Sequence, residues 1–179
     1  EHGEDGGFNI DHNDFLMVQN EGILYYYRYL LLFQIGDYER TAQDTNHNLR
    51  LCSMVEKYCT NKEDQRSLLQ YKPYIVRVNA LSRAMLHLSN NDKPEALSAV
   101  ESAIDIIKTT QDVSTSVFKF ERDRSLDQLK KTLVQINDFK VGTLEQLESE
   151  LEQAIENEDY EAAVELRDKI SHYKERGQV

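Results

Sequence analysis

Apolar residues recur at helical spacing along almost the whole chain, from Phe15 to Ile170, and the gaps between them are short polar junctions. Two prolines and seven glycines are too few for the many tight turns of an all-β fold. An all-α fold follows. At 179 residues the chain is long enough for one ordinary domain and a small appendage.

The junctions set the order of elements. A first helix is predicted from about Asp11 to Ile35. The bulky run Tyr25, Tyr26, Tyr27, Tyr29 and Leu30 to Phe33 points in nearly every direction around its second half, which is therefore expected to be enclosed on more than one side as the centre of the body. Gly36 suits the left-handed conformation that ends a helix, and Asp37 can cap the next, from about Tyr38 to Cys59, with Ala42, Leu49, Cys52 and Val55 facing inward. Beyond Asn61-Lys62-Glu63-Asp64 a further helical segment runs to Leu88, restarted or kinked at Pro73. Asp92, Pro94 and Glu95 supply a cap, a first-turn proline and a capping-box acid for a helix from Glu95 to about Thr110. Ser, Thr and Val between Asp112 and Phe120 read as a loop before a helix from about Ser125 to Ile136. Residues 1–10 lack periodicity and read as a flexible tail, leaving 11–138 as the helical body. The chain opens on Glu1 rather than methionine, as a fragment or trimmed chain would.

Residues 143–176 form a separate element. Leu144, Leu147, Leu151, Ala154 and Ile155 precede the polar break Glu156-Asn157-Glu158, and Tyr160, Ala163, Leu166, Ile170 and Tyr173 follow it. This is the pattern of a helical hairpin. Two helices of this length bury too little apolar surface to offset the entropy of ordering them, so a protein partner or a second copy of the chain is expected. The segment carries eleven acidic against four basic side chains, or −7 of the total −11, leaving −4 for the rest. Such an acidic surface argues against direct nucleic-acid binding, because phosphates repel it.

Candidate chemistry is sparse. Cys52 and Cys59 are read as free buried thiols, which suits a reducing compartment and makes cytoplasm the expectation; a zinc site needs four closely spaced ligands. Asp44-x-x-His47 has the spacing of a helical carboxylate and histidine pair, but a di-iron site needs that motif twice, so a solvated helix face is expected. Tyr25, Tyr26, Tyr27 and Tyr29 could stack on bases, yet few basic residues surround them and core packing is the preferred reading. Phosphate-binding loop, nucleophile-elbow and metalloprotease motifs are missing from the sequence. The chain is therefore not expected to be an enzyme or to hold a cofactor. The apolar-rich stretch from Ile23 to Ile35 is interrupted by Arg28 and Gln34 and is too short to cross a bilayer.

Three helix starts are alike: Gly36-Asp37-Tyr38-Glu39, Asn91-Asp92-Lys93-Pro94-Glu95-Ala96 and Glu158-Asp159-Tyr160-Glu161-Ala162-Ala163. The first two resemble the turn of a tetratricopeptide repeat, with Gly36, Tyr38, Ala96 and Ala103 on its small and aromatic positions and His87 where an aromatic is expected. The resemblance implies stacked antiparallel helical hairpins of the kind that bind peptides or proteins. Their unequal spacings of 55 and 67 residues exclude a fixed period, and a local capping device explains the echo as well. Leu147, Leu151, Ala154, Asp159, Tyr160, Glu161, Ala163, Leu166, Arg167, Asp168 and Ile170 resemble the UVR motif, the helical hairpin shared by the bacterial excision-repair proteins UvrB and UvrC. The sequence departs at Leu151, where that family often has Met, and at Glu158, where it often has Leu. The front half also resembles the helical region of bacterial proteins that carry this motif at their C-terminus. In the motif's family the hairpin mediates protein association. The resemblance implies an adaptor or interaction protein, with an accessory role in nucleotide excision repair as the alternative. It also implies Leu147, Leu151, Ala154, Tyr160, Ala163, Leu166, Arg167 and Ile170 as interaction residues. An exposed Arg167 could bridge to a partner carboxylate, but charge pairs within one hairpin are common and weak, so a structural, intra-hairpin role is the preferred reading for Arg167 and Asp168.

Overall fold

The computed structural model describes residues 8–138 and 144–176, with backbone alone for 144–146 and 172–176. The protein is all-α. Among the described residues eight helices follow one another: α1 (His12–Gln34), α2 (Tyr38–Tyr58), α3 (Lys62–Leu69), α4 (Lys72–Ser89), α5 (Lys93–Thr109), α6 (Ser116–Asp138), α7 (Leu144–Glu156) and α8 (Tyr160–Arg176). They fall into two compact units, residues 1–137 and 138–179. Residues 1–7 of the expected tail, the Val141-Gly142-Thr143 junction and the side chains of Leu144 and Tyr173 lie outside the described residues.

In the first unit α1 packs on α2, α2 on α4 and α4 on α5 as stacked antiparallel hairpins, with the short α3 beside α2. The main core joins α4, α5 and α6 through Val76, Ala80, Val100, Ile104, Ile107 and Leu129, all buried. A buried polar seam supplements it between α2 and α4, where the Asn79 amide donates to the Ala42 carbonyl at 3.1 Å and to Thr45 Oγ1 at 2.9 Å. Pro73 starts α4 afresh in its first turn, where its missing N–H costs no helical hydrogen bond.

The junctions share one mechanism. The left-handed residues Gly36 (φ 78°), Asn91 (φ 56°) and Glu158 (φ 60°) each terminate a helix. In each case the next residue, Asp37, Asp92 or Asp159, donates its amide to a carbonyl five residues back: Leu32 at 2.9 Å, His87 at 2.8 Å and Ala154 at 2.9 Å. The same aspartate then accepts from the first turn of the following helix, at the amides of Arg40, Glu95 and Ala162. A Schellman stop is thus fused to an Asp start, and this local device accounts for the echo among the three sequences.

Four expectations are corrected. The first concerns α1, which lies at the edge of the stack, so that only Phe15, Gly22 and Tyr29 are buried; Leu24, Leu31 and Ile35 are 71%, 62% and 74% exposed. The second is the start of α6, nine residues earlier than predicted, because Thr115 Oγ1 caps the Phe118 amide at 3.0 Å and Phe118 itself is wholly buried. In the third, the end of the expected tail is docked: Ile10 is buried, donates its amide to the Tyr58 carbonyl at 3.0 Å and pairs with Cys59 in an isolated bridge.

The fourth correction is Asp44-x-x-His47, which faces α1 and not solvent. Asp44 is buried and accepts two hydrogen bonds from the Arg28 guanidinium, while His47 pairs with Glu21 at 2.7 Å and stacks on Tyr25 with ring centroids 3.9 Å apart. The Asp44 carboxylate raises the Arg28 guanidinium further above its ordinary range, against the opposing effect of its desolvation. Tyr29 packs in the core, as the preferred reading of the tyrosines has it, but Tyr26 and Tyr27 remain exposed.

Candidate functional site

The second unit is a hairpin built by its turn. Helix α7 ends in the left-handed Glu158, whose amide donates to the Ile155 carbonyl at 3.1 Å, and Asp159 Oδ1 opens α8 by accepting from the Ala162 amide at 3.1 Å. The two helices pack on one another. Ala154 and Ala163, one on each side of the turn, are buried, and side chains this small let the backbones approach closely. Ile170 is buried further along α8, and Leu147, Leu151 and Leu166 are half-buried.

Three apolar side chains remain in water around the turn: Ile155, Tyr160 and Val164, at 53%, 66% and 48% exposure. Sequence periodicity grouped Ile155 with its buried neighbours and passed over Val164. Both lie beside the apolar stripe, where 3.6-residue spacing cannot tell a covered position from an open one. Around them Glu148, Glu152, Glu156, Glu161 and Glu165 are exposed, so the accessible surface is acidic with an apolar tip.

Of the eight residues expected to contact a partner, Tyr160 and Arg167 are exposed, Leu147, Leu151 and Leu166 half-buried, and Ala154, Ala163 and Ile170 buried. The buried three hold the shape of the hairpin. Arg167 pairs with its neighbour Asp168 at 3.5 Å within α8, with both side chains more than 60% exposed. So exposed a pair contributes little to stability and leaves the guanidinium facing solvent.

Residues 143–176 match the UvrB/uvrC motif. The UVR match takes in the whole hairpin, both helices and the turn, and leaves the helical body outside it. No curated protein and no solved structure matches the chain.

Cys52 and Cys59 are free and buried, and desolvation pushes the Cys52 thiol up to about 12, far from the thiolate a nucleophile or metal ligand needs. Among the described residues no group of three or more His, Cys, Asp or Glu side chains is placed to hold a metal ion. None of the described helices is long and apolar enough to cross a membrane.

Proposed function

We propose that the protein is an adaptor that associates with a protein partner, or with its own copy, through the UVR hairpin, and that it works in the cytoplasm without a catalytic centre or cofactor of its own. The observation that carries this reading is the match of residues 143–176, supported by the open Ile155, Tyr160 and Val164 around the turn. An apolar tip ringed by carboxylates suits a partner with an apolar pocket and a basic rim. Deleting residues 143–179 is expected to abolish recovery of specific partners from native cells while the body keeps its helical circular dichroism. Retention of every partner overturns the reading. Leu151→Asp is expected to weaken association far more than Glu152→Ala, and equal effects count against it.

A second reading, accessory action in excision repair, rests on the same motif through its occurrence in UvrB and UvrC. With a net charge of −11 the chain would reach DNA through a protein contact and not by itself. Calorimetric titration against purified UvrB and UvrC separates the two readings: binding to either favours repair, and binding to neither leaves the general adaptor reading.

A further inference from the structure

Helix α1 packs on α2 along one side and leaves its opposite side open. There Met17 and Tyr27, 72% and 61% exposed, join the exposed Leu24, Leu31 and Ile35, with Leu16 and Ile23 exposed beside them. Met17, Leu24 and Leu31 follow one another at heptad spacing and Tyr27 lies one turn beyond Leu24, so the side chains form one stripe along the helix. With roughly 200 Å² for a fully exposed large side chain, they present on the order of 800 Å² of largely apolar surface. The largest apolar patch of a typical monomer covers about 300–600 Å², and a stable interface buries about 800 Å² on each partner.

Charge indicates which partner fits. Between Met17 and Ile35 the only charged residues are Glu21 and Arg28, in a chain with a net charge of −11. Two copies this acidic meet most readily on a surface short of carboxylates. Glu21 and Arg28 share one flank of the stripe and are anchored on α2, where Glu21 pairs with His47 at 2.7 Å and Arg28 donates to Asp44 through Nε and Nη2. Their side chains are still 49% and 58% exposed. Asp44 occupies only part of the guanidinium's donor set, so Arg28 can bond a second carboxylate.

The order of these residues is that of a two-fold seam. Two copies of α1 laid antiparallel, with the axis crossing between Tyr25 and Tyr26, bring Leu24 of each onto Tyr27 of the other and Leu31 of each beside Asn20 of the other. On the flank, Glu21 of each copy then lies across from Arg28 of the other. In a parallel pair Glu21 and Arg28 face Leu16 and Ile23 of the other copy, and neither meets an opposite charge.

We propose that the protein self-associates as an antiparallel two-fold dimer through the open side of α1, with Glu21 and Arg28 as reciprocal ion pairs on its rim. The contact uses no residue of the UVR hairpin. The dimer therefore carries two hairpins and is bivalent toward whatever the hairpin binds.

Sedimentation equilibrium on the full chain at about 100 μM is expected to give twice the 20.9 kDa of one chain, since interfaces of this size hold at micromolar concentrations or below. Leu24→Asp is expected to weaken the dimer at least about a hundredfold, because each copy places a carboxylate in the apolar seam; with Leu24 exposed, the helical circular dichroism should be unchanged. Glu21→Arg should weaken it about three- to tenfold by setting like charges opposite one another. Leu151→Asp, in the UVR hairpin, should leave it intact. Cys52 and Cys59 are buried, so Met17→Cys takes a single spin label that reports direction. Antiparallel pairing separates the two labels by about 25 Å along the helix axis, whereas parallel pairing holds them about 10 Å apart. A monomer at the stated concentration, a dimer unaffected by Leu24→Asp or by Glu21→Arg, a dimer lost in Leu151→Asp, or labels at the parallel separation overturns the proposal.

Discussion

Replacing Glu158 by glycine should stabilise the UVR hairpin, and replacing Gly36 by alanine should destabilise the body by a comparable amount. Both substitutions act on the left-handed residue of the same fused stop and start. At Gly36 (φ 78°) a Cβ would meet nothing within 4 Å, so Gly36→Ala adds no clash and its cost is that of the backbone conformation, about 1–2 kcal/mol. Alanine also restricts the unfolded chain, which returns about 0.4–1 kcal/mol and leaves a net loss of about 1 kcal/mol. Glu158 (φ 60°) already bears that conformational cost, so Glu158→Gly reverses the sign, with a net gain of about 0.5–1 kcal/mol. The Asp159 amide, which donates to the Ala154 carbonyl at 2.9 Å, reports on the turn directly. Native-state hydrogen exchange on the full chain should show its protection rising about two- to fivefold in Glu158→Gly. Urea unfolding of Gly36→Ala should show a lower midpoint at unchanged slope. Reduced protection in Glu158→Gly, or an undisturbed midpoint in Gly36→Ala, would refute the idea that left-handed geometry limits these junctions.

Phe118→Ala should cost about 3–5 kcal/mol in urea unfolding, because Phe118 is fully buried and α6 has no larger anchor in its first turn. Arg28→Ala leaves the buried Asp44 carboxylate without its partner and should cost about 1–3 kcal/mol, moderated by the exposure of Arg28; a double-mutant cycle with Asp44→Ala should show coupling between the two. Native Cys52 should resist an alkylating reagent at pH 8 and react at the rate of unfolding, since its thiol is both buried and pushed up to about 12. The Asp37 carboxyl lies below its ordinary range because the Arg40 side chain and amide donate to it. A depressed carboxyl stabilises the folded state above its unfolded pKa and loses that contribution as pH falls through the folded value. Protection of the Arg40 amide should therefore persist through the ordinary carboxylate range and fall at more acid pH.

Helix ends are legible in sequence because capping is a local transaction. Asp37, Asp92 and Asp159 each satisfy amides within three residues, and Gly36 and Asn91 are residue types that tolerate the left-handed turn. The UVR hairpin is legible for the same reason, as its turn, caps and apolar spacing fit within one continuous stretch. Thr115 as the cap of α6 was within reach of the same reasoning, but the Ser, Thr and Val around it read as a loop.

Burial is different, because a neighbour from elsewhere in the chain must supply it. Periodicity marks the apolar positions of α1 but not that only one side of the helix has a neighbour, so an expected centre became an edge. Asp44 and His47 look like solvated residues until Arg28, Glu21 and Tyr25 are brought against them from sixteen to twenty-six residues away. The spacing of Met17, Leu24 and Leu31 is plain in the sequence, whereas its outward direction comes from the packing of α2 on the other side of α1. By itself the sequence determined most helix ends, the start of α6 excepted, and where the UVR hairpin lies, since those depend on contacts a few residues apart. Which faces are covered, which charges are paired and which apolar side stays open were decided by tertiary packing alone, because each depends on surfaces that distant segments bring together.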